Sequence, residues 1–121
     1  MKIGFLKKKY LEALNINNCS CSNVYLNPGA ETHIKTKHPT IYNKYFKSVK
    51  YIIQRPDYLG LNPIVKDSIE LIRIYSRDVV LVSIAIGKNG YLYLSSIYTI
   101  GRRGKSKIRK RLKSGRLIKA P

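Results

Sequence analysis

Three consecutive runs of β-branched and aromatic residues constrain the fold of this chain more strongly than any other feature. They cover residues 69–76, 79–86 and 91–99, and the connections between them are short enough for hairpins. The middle run is apolar on both of its alternating faces except at Ser83, as expected of a strand that is covered on both sides. The sequence therefore predicts a three-stranded antiparallel meander with 79–86 as its central strand.

The first half of the chain has a spacing that is typical of short helices. Apolar residues recur every three to four positions over residues 1–14 and again over about 40–54. Residues 30–37 can also form a helix. One short strand fits Val24–Leu26, and residues 55–63 are interpreted as an irregular connection because of their turn-forming residues.

These patterns together predict an α+β fold in a single domain over residues 1–121. Helices of about residues 1–60 would pack on an antiparallel β-sheet of about residues 69–119, because an apolar sheet face has to be buried. A basic C-terminal segment follows the meander. It is expected to form a short helix near residues 105–113 and an edge strand at Leu117–Ile118.

The charge balance indicates a polyanionic partner. The chain carries 24 Lys and Arg against six Asp and Glu, a formal net charge of +18. Basic residues make up more than half of residues 102–119, which contain no acidic residue. Phosphate neutralisation by such residues releases counterions, so nucleic acid is the expected partner. The residues expected to contact it are Lys35, Lys37, Arg102, Arg103, Lys105, Lys107, Arg109, Lys110 and Arg111.

Nothing in the chain has the pattern of a signal peptide or a membrane span. The longest aliphatic run, Val79–Val82, is far too short to cross a bilayer. No apolar segment of signal-peptide length follows the positively charged start. We therefore expect a cytoplasmic site of action and no membrane partner.

A zinc site is the alternative that the cysteines and histidines raise. Cys19, Cys21, His33 and His38 are four side chains of types that bind zinc. The histidine spacing is acceptable for a zinc finger, but the Cys-x-Cys spacing is tighter than usual and the intervening residues are not finger-like. The sequence therefore predicts no metal site, and no cofactor is required.

Two histidines and a polar strand end are the candidates for chemistry. His33 and His38 are five positions apart, about 140° around a helix, so they face one point only if the helix breaks, which Pro39 would allow. Ser96 and Tyr98 alternate onto one face of the third strand.

Arg73 is a charged residue in an otherwise apolar strand, where a bound phosphate would satisfy it. Tyr91, Tyr93 and Tyr98 on the third strand fit either core packing or stacking on bases.

These features resemble the phage- and toxin-associated nucleases of the barnase, EndoU, colicin and RelE type, the BECR fold. The resemblance covers roughly residues 3–119 and rests on His33-Ile34-x-x-Lys37-His38-Pro39, Ile53-x-x-Pro56-Asp57-Tyr58, the 79–86 strand, Ser95-Ser96-Ile97-Tyr98 and Arg116-Leu117. It implies a helical first half packed on an antiparallel sheet and metal-independent cleavage of RNA.

The resemblance also implies active-site roles for His33 and His38, and for Ser96 and Tyr98. The barnase branch uses a glutamate base, and the candidate acids near these motifs are Glu31 and Glu70. Neither is assigned, so a histidine is expected to serve as the base.

The expected function is that of a toxin-like, metal-independent endoribonuclease. The 2′-hydroxyl of RNA, with tRNA or rRNA as a target, would attack the adjacent phosphate and leave a 2′,3′-cyclic phosphate and a 5′-hydroxyl. One of His33 and His38 would act as base and the other as acid, while Lys37, Arg73, Ser96 and Tyr98 would hold the developing charge. An acidic immunity or antitoxin protein is a further expected partner. The alternative is a non-catalytic RNA- or DNA-binding module, such as a ribosome-associated protein.

Overall fold

The computed structural model describes residues 1–20, 22–101 and 103–121. Cys21, which belongs to the zinc alternative, and Arg102, an expected nucleic-acid contact, lie outside the described residues. The elements are β1 (Lys2–Phe5), α1 (Lys8–Ala13), β2 (Asn23–Tyr25), α2 (Pro28–Lys37), α3 (Pro39–Tyr45), a 3₁₀ turn (Phe46–Ser48), α4 (Val49–Gln54), β3 (Tyr58–Leu61), β4 (Ser68–Ile74), β5 (Val79–Ile86), β6 (Leu92–Thr99), α5 (Gly104–Ser114) and β7 (Leu117–Lys119).

One mixed sheet organises the fold, which confirms the α+β class. In the described part of the chain the sheet has seven strands in the order β1-β2-β6-β5-β4-β3-β7. The predicted meander forms β4, β5 and β6, and β5 is the central strand as expected. Each ladder is antiparallel except that of β2 and β6, in which Val24 and Tyr25 pair in parallel with Leu92 and Tyr93.

The first sixty residues are less helical than predicted. Residues 2–5 form β1 instead of a helical turn, because they pair with β2 and pack against α4. Gly4 permits that packing, since a Cβ atom there would lie 3.1 Å from Cδ1 of Ile53. Residues 58–61, predicted to be irregular, form β3. The predicted helix over 40–54 is divided into α3 and α4 by the 3₁₀ turn.

The back face of the sheet, defined here as the face that packs on α1–α4, carries the larger core. Strand residues such as Leu71, Val82 and Ile84 are fully buried there, together with Ile34 of α2 and Ile52 of α4. This core fixes the meander in register, because a slip of one residue would turn its apolar side chains to the other face.

The opposite, front face is covered over one half only. Ile72, Leu81 and Ile100 pack there against Ile108 of α5, with Leu117 of β7 beside them. The other half of the front face is polar. Arg111, in the C-terminal half of α5, is close enough to Tyr98 at the border of this surface to affect its pKa.

Gly60 brings the segment before β7 across the front face. It pairs with Glu70 of β4 on one side and with Leu117 of β7 on the other. A Cβ atom at position 60 would collide with the backbone carbonyl of Arg116. The absent side chain therefore allows the chain at Arg116 to lie directly against β3.

We predict that Gly60→Ala lowers the free energy of unfolding by about 1–3 kcal/mol, because the new methyl group has to push the Arg116 backbone away. Gly101→Ala is the matched control, since a Cβ atom at position 101 has no neighbouring atom within 4 Å. Urea denaturation of both variants measures the difference. Equal stabilities of the two variants would contradict the close approach at Gly60.

Candidate active site

A row of polar side chains crosses three strands on the open half of the front face. Glu70 of β4 is the register partner of Ser83 of β5, which in turn pairs with Ser96 of β6. Side chains at such positions are about 4.5–5.5 Å apart at Cβ. The Ser83 hydroxyl also lies 3.1 Å from that of Ser68. Tyr98, two positions beyond Ser96, points from the same face at the border with the α5 core.

Glu70 is an almost fully buried carboxylate held by an arginine. Its side chain is 1% exposed, and Nη2 of Arg116 lies 3.0 Å from Oε1 and 3.1 Å from Oε2. Nε of Arg116 donates a further bond of 3.1 Å to Oε1, and Nδ2 of Asn62 donates a longer one of 3.4 Å to Oε2. Both carboxylate oxygens are therefore engaged, and the Arg116 guanidinium is held in a fixed orientation.

The charges of Glu70 and Arg116 affect the pKa of the nearby Tyr98. Burial raises the pKa of Tyr98 above its ordinary value, and the charge of Glu70 adds to the increase. The guanidinium groups of Arg111 and Arg116 act in the opposite direction and only partly offset it. The Tyr98 hydroxyl is therefore protonated at neutral pH and can donate a hydrogen bond.

Arg111 contributes an unsatisfied donor near Tyr98. Its Nη1 atom is buried, and no atom of the described residues accepts a hydrogen bond from it. A buried guanidinium nitrogen without a partner is costly unless an anion or water accepts its bond. Arg111 extends from α5, which covers the neighbouring half of the front face.

His38 lies beside Tyr98 at the outer edge of β6. It is the residue between α2 and α3, where Pro39 begins the next helix. Its ring centroid is 6.3 Å from that of Tyr98, with the planes inclined by 31°. The structure therefore brings His38, Tyr98 and Ser96 to one surface.

His33 is not part of this group. Helix α2 runs without a break to Lys37, so the chain turns at His38 and not between the two histidines. The His33 side chain is exposed on α2. Within the described ranges, no hydrogen bond, ion pair or ring contact joins His33 to His38 or Tyr98.

Arg73 lies on the back face, away from the polar row. It pairs in register with Val80, a member of the back-face core. Its guanidinium is 3.6 Å from Asp57, donates a 2.8 Å bond to the carbonyl of Arg55 and lies 4.8 Å from the ring centre of Tyr51. These contacts account for its charge without a phosphate.

The predicted nucleic-acid contacts are surface residues. Those that the structure describes as exposed are Lys35, Lys37, Arg103, Lys105, Lys107, Arg109 and Lys110, whereas Arg111 is half-buried. Arg103 and Lys105 line a cavity of about 530 Å³ at the start of α5. Lys105 and Arg109 also line a cavity with Tyr58 and Ile74, so the exposed cations of α5 are not confined to the side of the polar row.

Glu70 and Arg116 are the members of the site that sequence reasoning left without a role. Glu70 is the one acidic residue inside the three predicted strand runs, and a charge in an apolar strand is the same signal that singled out Arg73. Because side chains alternate between the two faces of a strand, Glu70 and Arg73 are expected on opposite faces of the sheet. The sequence contains no comparable signal for the pairing of Arg116 with Glu70.

The described residues lack two other kinds of feature. They contain no group of three or more His, Cys, Asp or Glu side chains that could hold a metal ion. None of the helices among them is long and apolar enough to cross a membrane.

The helices behind a mixed sheet and the cationic, polar site on its front face define a small α+β protein suited to acting on a polyanion. The family model described as phage-Barnase-EndoU-ColicinE5/D-RelE like nuclease3 (PBECR3) matches residues 1–109. The chain belongs to this phage-associated family of BECR nucleases, so it is an enzyme of the class that acts on nucleic acid. No curated protein and no solved structure matches it significantly. Arg111 and Arg116 lie beyond the matched residues.

We predict that Glu70→Gln lowers the free energy of unfolding by about 1–3 kcal/mol, because it removes the charge that holds Arg116. Glu12→Gln, at an exposed position of α1, should change stability little. Urea denaturation at neutral pH compares the two variants. If they are equally stable, the ion pair does not hold the front face together.

Proposed function

We propose that this nuclease is a metal-independent endoribonuclease that cleaves RNA by attack of a 2′-hydroxyl on the adjacent phosphate. The products are a 2′,3′-cyclic phosphate and a 5′-hydroxyl. The observation that carries the proposal is the convergence of His38, Tyr98 and the two arginines Arg111 and Arg116 on the open half of the front face. This surface combines groups that move protons with groups that bind a phosphate.

The phosphate is held by the arginines. Arg116 has a side chain that is 27% exposed, and its Nη1 takes no part in the bonds to Glu70. The Nη1 atom of Arg111 is the donor without a partner. Guanidinium groups suit phosphate oxygens because their donors are planar and permanently charged. Both donors stabilise the extra negative charge of the five-coordinate transition state.

His38 and Tyr98 carry the proton transfers. An imidazole can accept and donate a proton near neutral pH, so His38 removes the proton of the attacking 2′-hydroxyl. The ordinary pKa of a tyrosine is far above neutral pH and burial raises that of Tyr98 further, so its hydroxyl is protonated and gives a proton to the departing 5′-oxygen. His38 then returns its proton through solvent to the tyrosinate. Ser96, beside Tyr98, donates to a phosphoryl oxygen.

Glu70 is a positioning residue in this scheme and not the base. A carboxylate that is 1% exposed and accepts bonds from Arg116 and Asn62 has no free oxygen to take a proton from substrate. Its charge instead fixes the guanidinium that meets the phosphate. A histidine, His38, therefore serves as the base, as the sequence suggested. Tyr98 takes the role of acid that the sequence analysis gave to the second histidine.

The composition of this surface supports the proposal that cleavage is independent of metal. Mg²⁺ prefers carboxylate oxygens, and Glu70, the one carboxylate among the described residues of the polar row, is already paired with Arg116. Arginine and tyrosine donors supply the charge stabilisation that a metal ion would otherwise provide.

The cations of α5 bind the flanking phosphates of the RNA, which is a tRNA or rRNA in our proposal. Such contacts give affinity with little sequence information. The same surface suits an acidic immunity or antitoxin protein, whose carboxylates would pair with exposed residues such as Arg109 and Lys110. A protein of this kind would protect the producing cell from a toxin-like nuclease by covering the site.

We predict that the protein cleaves tRNA or rRNA in the presence of EDTA and that His38→Ala slows cleavage about 100- to 10,000-fold, the usual contribution of a general acid or base. His33→Ala is the matched control and should retain activity, because His33 is exposed on α2. Single-turnover cleavage of end-labelled RNA, with analysis of product ends, measures both.

A substrate with a 2′-deoxy residue at the cleavage position should remain intact, because it lacks the nucleophile. The scheme is overturned if DNA is cleaved as well as RNA, or if EDTA abolishes cleavage. A protein that binds RNA and leaves it intact from pH 5 to 8 would be the binding module of the alternative.

A second prediction concerns the salt dependence of RNA binding. Replacing Arg109 and Lys110 by Ala removes two phosphate contacts and should reduce the slope of log affinity against log salt by about 1.4 for a single strand. The control pair, Lys47→Ala with Lys50→Ala, lowers the net charge equally on the back-face side. An equal change of slope in both pairs would mean that α5 is not the binding surface.

A further inference from the structure

Three tyrosines form a cleft at the far end of β6 from the start of α5. Tyr25 of β2, Tyr91 and Tyr93 line a cavity of about 420 Å³ together with Leu26 and other residues of that edge. The centroid of the Tyr25 ring lies 5.8 Å from that of Tyr91 and 6.3 Å from that of Tyr93. The plane of the Tyr25 ring is inclined to those of Tyr91 and Tyr93 by 39° and 46°, so the rings do not stack face to face on one another.

The cleft opens on the same face as the candidate active site. Tyr93 pairs in register with Ala85, two positions along β5 from Ser83. Tyr25 pairs with Tyr93 across the parallel ladder, while the neighbouring Val24 and Leu92 are buried in the back-face core. The tyrosines therefore stand on the front face.

Hydrogen bonds hold the Tyr93 ring and the turn that carries Tyr91. Nδ2 of Asn89 donates a 3.0 Å bond to the hydroxyl of Tyr93, and Oδ1 of Asn89 accepts a 3.0 Å bond from the backbone amide of Tyr91. The hydroxyl of Ser20 donates a 2.9 Å bond to the carbonyl of Asn89 and fixes the turn. A fixed cleft binds a ligand with a smaller loss of conformational entropy.

Core packing does not explain this arrangement. Tyr91 is 42% exposed, and Tyr25 and Tyr93 are half-buried at the edge of the sheet. Among the described lining residues of the cavity there is no carboxylate, so nothing there repels a polyanion. Exposed aromatic rings on the same sheet face as the candidate active site are suited to stacking on unpaired bases.

We propose that this tyrosine cleft, formed by Tyr25, Tyr91 and Tyr93, stacks an unpaired base of the nucleic-acid substrate. The inference rests on the proposed function for its substrate and adds that the substrate is single-stranded where it meets the cleft. A base in a duplex is stacked on its neighbours and cannot enter.

The cleft binds a base that is not adjacent to the cleaved linkage. Tyr93 and Tyr98 pair with Ala85 and Leu81, which are only four positions apart on β5 because β6 contains a bulge between the two tyrosines. Four positions correspond to about 13 Å at the rise of an extended strand. A nucleic-acid strand advances about 3.4 Å per stacked nucleotide and roughly twice that when extended, so the separation corresponds to about two to four nucleotides. The cleft and the active site together select an unpaired segment of that length.

The test is a binding measurement that does not depend on cleavage. The probe is a 2′-O-methyl single-stranded oligoribonucleotide with one 2-aminopurine, whose fluorescence changes when the base stacks on a ring. Tyr25→Leu and Tyr91→Leu should each weaken its binding about 5- to 100-fold, because each removes an aromatic face while keeping apolar bulk. Tyr25→Phe and Tyr91→Phe keep the face and should bind like the wild type.

Tyr51→Leu is the matched control, because Tyr51 is 46% exposed on α4 behind the sheet. It should leave the binding of the probe unchanged. A duplex form of the oligonucleotide should bind the wild type and the Tyr→Leu variants equally, since its bases are not available for stacking.

The outcomes separate the two proposals. If the Tyr→Leu variants lose single-strand binding in a protein that cleaves no RNA, the base site is supported and the ribonuclease proposal is wrong. If RNA is cleaved and the Tyr→Leu variants bind the probe like the wild type, the ribonuclease proposal is supported and the base site is wrong. Equal losses with Tyr51→Leu, or equal losses for duplex and single strand, would also overturn the base site.

Discussion

The ion pair between Glu70 and Arg116 connects the parts of the molecule on which the site depends. It joins β4, in the middle of the meander, to a residue that lies 46 positions later in the chain. A carboxylate with 1% exposure is stable in that place only because the guanidinium pairs with it. The same guanidinium then faces the polar surface, so one contact both satisfies a buried charge and orients a cation.

The fold could be predicted where the signals are local. The meander, α5 and β7 follow from residue type, alternation and short turns, which neighbouring residues specify on their own. Residues 2–5 and 58–61 could not be assigned in this way, because four-residue strands contain too little periodicity. They become strands through their partners: β2 for the first, and β4 and β7 for the second. The parallel ladder of β2 with β6 is likewise invisible in the sequence.

The part of the candidate site that lies on a single strand could be predicted from the sequence. Alternation along β6 places Ser96 and Tyr98 on one face, as the register confirms. Register between strands is not encoded in any single strand, so the meeting of Glu70 with Ser83 could not be foreseen. Arg73 illustrates the opposite case, because its charge suggested a phosphate while Asp57 of a distant segment already pairs with it.

Because β7 is short, the polar surface can open locally while the rest of the sheet stays folded. This edge strand has three residues and three register pairs with β3. Local opening of a short edge strand costs less free energy than unfolding of the whole domain. Opening there withdraws Arg116 while the meander and its back-face core persist. Hydrogen exchange at β7 would then report on assembly of the surface, whereas exchange at β5 would report on global unfolding.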